Sequence, residues 1–493
     1  MSKAASVGAE AQPKTSLEVR GSARDQNIAV DPAIAAVIRN PAAPEGVPRV
    51  VPLPGSMPGE VGLLAMLRAF VGHFYYGIDH AERTHARYGE LYRYMWAALP
   101  TALLWDADEI QKITRNESCA WSTSMGWDAL MFAGLDGTEG NFGSLLSFDF
   151  DQHRVARKLL MPAFTSKAMK GYSDIAAPMF EGAVSAWVAR GHVDFKREVR
   201  SLLAHTSAQI FTGIDDRAHA DMLDQALTDF WHGPLAFSRD PRLSPGFRRA
   251  QRGFQTLREF FTALVPERRA QPRRDLFSNL CQVDEREGFS DEAMVRIFLT
   301  VMFGAFDTTS MATTSMAYLL AKHPEWQERL RAEADPVISG GIDPANLVKL
   351  EQCEWFWKET MRIFPVSLGI PRRALREVEV LGTRLPAGAF VVPMTGAVGR
   401  HPRWWKEPSR FDPERFSPAR AEDRRHPAIY LPFGGGAHAC IGMQLANLEA
   451  KLLFSMLLTR CRIELAPDYE GRHTLTPLGT VSGKVRLKLT PIG

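Results

Sequence analysis

The feature that most constrains this chain is a glycine-rich segment near its C-terminal end. FGGGAHACIG, from Phe433 to Gly442, sets one cysteine between a turn and an apolar run. Gly434, Gly435, Gly436 and Gly442 carry no Cβ, so the backbone here can approach a broad, flat partner closely. After Gly442 the run MQLANLEAKLLFSMLLTR places Leu445, Leu448, Leu452, Leu453 and Met456 at helical spacing. The spacing predicts a helix whose N-terminus lies beside Cys440, and the positive end of a helix favours a thiolate over a thiol. An isolated cysteine in a glycine turn is more simply a buried free thiol. The neighbouring residues are what argue for a metal ligand.

Phe433, Gly436, His438, Cys440 and Gly442 follow the order Phe, two residues, Gly, one residue, Arg or His, one residue, Cys, one residue, Gly. In this the chain resembles the cytochrome P450 superfamily, whose members bind haem at such a loop. The resemblance runs from about residue 46 to the end. It implies a mainly α fold with small β-sheets, with haem b held between a long oxygen-activation helix and the cysteine-loop helix. It makes Cys440 the iron ligand, with Phe433, Gly436, Gly442 and His438 around the cofactor.

Three further motifs stand in the family's order. Glu359 and Arg362 form an ExxR pair in WFWKETMRIFP, three apart on one helical face that Pro365 terminates. Alone this would read as a common surface ion pair. The later segment Pro413, Glu414, Arg415, Phe416 occupies the place of the family's second arginine. The resemblance implies that Glu359, Arg362 and Arg415 form a buried structural network beneath the haem.

The predicted helix from Ser290 to Lys322 carries FGAFDTTS. Gly304, Ala305, Asp307, Thr308 and Thr309 fit the family's oxygen-activation segment, with Ala305 where a second glycine is usual. A threonine hydroxyl can bond to the preceding turn and distort the helix, leaving room for dioxygen and water. Splitting dioxygen requires protons, and the resemblance implies Thr308 and Asp307 as catalytic residues that relay them.

Haem propionates call for cations that bond bidentately. His153 and Arg157 in DQHRVARKLLMPAFT match a bacterial His-xxx-Arg signature, and Arg372 matches the arginine after the ExxR helix, with Arg373 adjacent. His438 takes the third position.

The bulk of the sequence sets bounds on the rest. The chain has 493 residues with no low-complexity linker after residue 60 and no internal repeat. One domain over 46–493 is expected, preceded by a flexible polar tail over 1–45. Fifty-nine basic residues against 56 acidic ones give no global field toward nucleic acid or anionic membrane. Cys119, Cys281, Cys353, Cys440 and Cys461 lack paired spacing, which speaks against a disulfide framework and for a reducing, cytoplasmic compartment. Val61 to Tyr76 is interrupted by Arg68 and His73 and is too short to span a bilayer, and no signal-peptide order precedes it. The acids Glu10, Glu18 and Asp25 weigh against a transit peptide. VPRVVPLPGSMPGE is a proline-rich hinge of the kind membrane-bound relatives carry after an anchor helix; here it is read as a hinge without the anchor, so a soluble bacterial-type enzyme is expected. Gly89–Trp105 and Val378–Pro393 read as hairpins, the latter turning at Pro386–Gly388.

Apolar residues are expected to wall a substrate pocket: Trp121, Met125, Trp127, Leu130, Met131, Phe132, Phe298, Met302, Phe303, Phe306, Val366, Leu368, Ile370 and Val481. This favours a lipophilic substrate such as a terpenoid, steroid, retinoid or fatty acid. No flavin- or dinucleotide-binding fingerprint and no ferredoxin cysteine cluster accompanies the haem segment. Electrons are therefore expected from a ferredoxin or flavodoxin with its NAD(P)H-dependent reductase. The partner would dock on a basic face drawn from Arg154, Lys158, Lys167, Lys170, Lys406, Arg420, Arg424, Arg425 and Lys451. The protein is expected to act as a monomer. The competing readings are a peroxide-driven peroxygenase, an oxygen-independent rearranging enzyme, and a haem sensor or carrier without turnover.

Overall fold

Ser290 starts the longest helix, Asp291–Lys322: its hydroxyl accepts the Ala293 N–H at 3.3 Å, and Asp291 and Glu292 occupy the first turn, where the helix dipole favours acids. From Met294 to Leu320 nearly every side chain on this helix is buried. An apolar rod of this kind demands cover on all sides. It packs against Phe195–Thr212, Pro245–Ala270, Glu351–Ile363 and Met443–Leu458, which form the helical body.

The computed structural model describes residues 47, 51–96, 99–128, 134–135, 143–233, 236, 239–283, 290–475 and 478–492. The tail expected over 1–45 lies outside these, as do Leu130, Met131 and Phe132. The mainly α fold with small sheets is as expected. The ExxR helix spans Glu351–Ile363 and the helix after the cysteine loop spans Met443–Leu458.

A five-stranded sheet flanks the helices, in the order Leu91–Trp96, Leu99–Leu104, Phe390–Pro393, Arg372–Ala374, Trp121–Ser122. The first two strands form the expected hairpin, with Leu91 opposite Leu104. The second expected hairpin is corrected. Val378–Val380 pairs with Thr383–Leu385 around Leu381 and Gly382, both at positive φ, as a two-residue primed turn requires. Phe390–Pro393 leaves that ribbon to run parallel to Leu99–Leu104.

The first described helix, Leu63–Tyr88, bends at Gly77 (φ 44°, ψ −119°). At the bend the Ile78 N–H donates to His473 Nδ1 at 3.0 Å, while His473 Nε2 bonds the Pro365 carbonyl at 2.8 Å. The first bond leaves Nδ1 as an acceptor, so Nε2 carries the proton and donates. A Cβ on Gly77 would sit 2.1 Å from His473 Nδ1. The outer face of the segment before the bend is apolar and exposed at Leu63, Leu64, Leu67, Phe70 and Val71. Among the described residues no helix is long and apolar enough to cross a membrane.

Gly77→Ala should therefore both strain the backbone and expel His473, lowering unfolding free energy by about 3 kcal/mol or more. Denaturant unfolding of the variant checks this, and a change below about 0.5 kcal/mol would show that the bend is not held by His473.

Candidate active site

The cysteine loop is held by its own backbone. The Cys440 N–H donates to the Phe433 carbonyl at 2.8 Å, and the Gly434 and Ala439 N–H groups close short turns on Leu431 and Gly436. Gly436 has φ 66°, and a Cβ there would lie 1.9 Å from the Thr114 carbonyl oxygen. Only glycine allows the loop to lie on the helix Ala107–Arg115 in this way. Burial pushes the Cys440 thiol up, opposed by the N–H groups of Gly442 and Met443 and by Arg157.

The sulfur opens onto a cavity of about 450 Å³, mostly apolar, with Phe433, Gly434, His438 and Gly442 beside it. Another part of the wall comes from the long helix, at Thr300, Gly304, Ala305, Thr308, Thr309 and Ala312. A Cβ built on Gly304 would meet nothing within 4 Å, so that stretch of helix faces open space. The Thr308 hydroxyl donates to the Gly304 carbonyl at 2.5 Å, the expected back-bond, and the helix continues through it unbroken.

Beneath the loop lies the ExxR pair. Arg362 donates to both oxygens of Glu359, at 2.6 and 2.7 Å, and neither side chain has any exposure. The remaining Arg362 donors meet the carbonyls of Gly399, Pro408 and Arg410, and the Asp412 N–H donates to Glu359 at 2.7 Å. Arg415 stands 3.6 Å from Glu359 and bonds Glu422 at 3.1 Å. Glu422, which reads in the sequence as one of several surface charges, is buried and is Arg415's main partner.

At the edge of the cavity His153 and His438 lie ring to ring at 3.7 Å, and Arg157 donates to the Ala439 carbonyl at 2.7 Å. Arg372 is buried in its strand, where burial lowers it to about 10 and Asp149 opposes that shift. Burial, with Arg157 and Arg372 nearby, lowers His153 to about 4; burial, His153 and the same arginines hold His438 well below the usual imidazole range. Both shifts favour the neutral imidazole. His153, Arg157 and His438 stand in the cavity wall, whereas Arg372 and Asp149 lie behind it, so this corner has an excess of donors. A soft sulfur ligand, an apolar slot and the Arg157 guanidinium at its edge, with no carboxylate paired to it among the described residues, together fit a haem with two propionates.

Several expected residues stand elsewhere. Asp307 is absent from the cavity wall: Arg200 donates to it at 2.7 Å and also reaches Asp224 and Thr228. Trp127, Phe303, Val366, Leu368 and Ile370 line the cavity, whereas Trp121, Met125, Phe298, Met302, Phe306 and Val481 do not. Phe298 packs on Phe261 and Phe277, and Trp121 lies in a separate core behind the sheet. Because the long helix is buried all round, an apolar stripe cannot mark the face that meets the cavity. The signal that does so is the row of small and polar residues Thr300, Gly304, Thr308 and Ala312.

The sequence reading also missed Glu449, two turns into the cysteine-loop helix. It lines the cavity, its Oε1 has no partner, and burial raises it to about 8 against a hydrogen bond from Thr309. The folded chain thus holds a proton that the unfolded chain releases above the ordinary value of 4.5, so stability falls as pH rises between the two values. In Glu449→Gln the thermal midpoint relative to wild type should climb from pH 5 to 8 and then level off. Parallel pH profiles for the two proteins would show that Glu449 is ionised in the fold.

A family model described as Cytochrome P450 matches residues 77–490. A putative cytochrome P450 136 of Mycobacterium tuberculosis is 34% identical over 336 residues, 66% of this chain and 68% of that protein. A cyclooctat-9-en-7-ol 5-monooxygenase of Streptomyces melanosporofaciens is 28% identical over 64% of this chain and 72% of its own length. The solved structure of a retinoic acid bound cyanobacterial CYP120A1 superposes with a TM-score of 0.80, at 22% identity, over 90% of this chain and all of that one. With the motifs in order, the fold matched and the family model spanning most of its length, this chain belongs to the cytochrome P450 family and is a haem-thiolate monooxygenase.

Proposed function

We propose that the cavity would hold haem b, with Cys440 supplying a thiolate to its iron. We further propose that the enzyme inserts one atom of dioxygen into a lipophilic substrate of the terpenoid, steroid, retinoid or fatty acid classes. The observation that carries this is that the Cys440 sulfur and the Thr308 hydroxyl open onto one mostly apolar cavity. Haem supplies the redox chemistry when bound, and a thiolate ligand pushes electron density that favours O–O cleavage.

The chain's own residues do the rest. Arg157 offers charge to the propionates from the wall, Arg372 adds positive charge from its buried place behind it, and the rings of His153 and His438 offer donors. Thr308, whose hydroxyl already donates to Gly304, has lone pairs free to accept from a water and so hold it in the cavity, where that water's other proton is available for transfer. Glu449, protonated at neutral pH, stores a proton on the same wall. Asp307 is engaged by Arg200 and so anchors the long helix to Phe195–Thr212, taking no direct part in proton transfer. The aromatic and aliphatic lining excludes bulk water and leaves few charges to pair with a polar substrate.

A ferredoxin or flavodoxin, served by an NAD(P)H-dependent reductase, would deliver the electrons. Arg154, Lys158, Lys167, Lys170, Lys406, Arg424 and Arg425 are exposed, as a docking face requires. Lys451 leaves that set: it is buried and bound to Glu354 at 3.0 Å. Arg420 is tied to Asp412 and Glu422. The described cysteines are all free, which suits the cytoplasm.

Thr308→Ala should bind haem normally, yet divert reducing equivalents to hydrogen peroxide and lower product yield by about an order of magnitude or more. Peroxide and product measured per NAD(P)H consumed test this reading. Unchanged coupling in the variant would remove Thr308 from the scheme.

A further inference from the structure

Most hydroxyl and imidazole groups lining the cavity are already engaged by the protein. Tyr94 donates to the Ala69 carbonyl and also meets His80; Thr84, Thr300 and Ser367 bond backbone carbonyls. Apart from His153 and His438 beside the cysteine loop, His73 and Thr395 are the two such groups with no hydrogen-bond partner among the described residues.

His73 is also held in place. Its ring stands edge-on to Trp96 at 4.0 Å and touches Phe74 at 5.4 Å. It lies one turn before the bend at Gly77, which His473 clamps. Burial, with His80 and His473 nearby, holds it well below the usual imidazole range, so the ring is neutral and offers one donor and one acceptor.

The charges around it narrow what can dock there. Among the described residues Arg157 is the one arginine or lysine in the cavity wall, and it serves the cysteine-loop corner. A carboxylate placed against His73 would find no arginine or lysine in that part of the wall, only an imidazole whose protonation burial opposes. A pure hydrocarbon would leave the imidazole buried and unpaired, which is also costly. A neutral oxygen avoids both penalties.

We propose that His73 is the polar anchor of the substrate pocket, and that the substrate is an apolar molecule with one neutral oxygen function, a hydroxyl or a ketone, docked against the helix Leu63–Tyr88. This rests on reading the cavity as the substrate pocket of a monooxygenase, and it narrows that reading to terpenoid or steroid alcohols and ketones over retinoid and fatty acids. His73 holds the substrate and has no part in the oxidation itself.

The test is titration calorimetry of the haem-loaded enzyme with three C20 isoprenoid probes: geranylgeraniol, the corresponding carboxylic acid and the corresponding hydrocarbon. Wild type should bind the alcohol about tenfold tighter than either of the others. His73→Phe preserves ring shape and should abolish that preference while leaving hydrocarbon affinity within about twofold; His73→Gln should restore part of it. Tighter binding of the acid by wild type, or an alcohol preference that survives in His73→Phe, would overturn the proposal. Calorimetry reads ligand binding without reference to the iron, so failure of the haem-thiolate assignment would appear separately, in the absorption spectrum.

Discussion

The bidentate pair between Glu359 and Arg362 underlies the rest of this structure. Both side chains are fully buried, and every remaining donor on Arg362 is spent on carbonyls of the segment from Gly399 to Arg410. Replacing such a pair by packed apolar groups is often neutral in stability, whereas removing one partner leaves a buried charge that costs about 3–5 kcal/mol. The network therefore contributes arrangement more than stability. It fixes an irregular stretch with little regular structure of its own against a helix, and the chain runs on from that stretch through Pro413–Phe416 to the cysteine loop. Arg415 and Glu422 extend the same lock to the turn after Phe416.

From that support the site is assembled by two kinds of contact. Glycine lets the loop press against the Thr114 carbonyl, so the sulfur is set by backbone packing and needs no side-chain partner. The long helix supplies a row of small and polar residues where everything around it is apolar. The cavity is the space left between these two elements, closed by Leu63–Tyr88 and the first hairpin. Its chemistry follows from scarcity: among the described residues one arginine and one acid stand in the wall, and away from the cysteine loop His73 is the imidazole left without a hydrogen-bond partner.

The motifs that carry chemistry were legible in the sequence because each depends on local spacing. The cysteine loop, the ExxR pair and the Gly304–Thr309 segment are read from consecutive residues, and the helices around them from a 3.6-residue period. What could not be read depends on tertiary orientation. Phe298, Met302 and Phe306 look like pocket residues on a helix that is buried on every side, and they are core. Asp307 and Thr308 are neighbours in sequence, but a helix turns adjacent side chains about 100° apart, so one meets Arg200 and the other the cavity. Glu449 reads as a surface glutamate in a helix, and its neutral, buried state arises only from where that helix docks. The misplaced hairpin has a simpler cause. Leu381 and Gly382 form a two-residue turn that a search centred on Pro386 passes over.

The proposed chemistry turns on Cys440 serving as a thiolate ligand to haem iron. The most direct measurement is the absorption spectrum of the purified protein after dithionite reduction and exposure to carbon monoxide. A thiolate opposite carbon monoxide moves the Soret band far to the red of a histidine-ligated haem, and the account predicts that band in wild type and its loss in a folded Cys440→Ser protein. A histidine-like band in wild type, a protein that takes up no haem, or a red-shifted band that survives Cys440→Ser would contradict it.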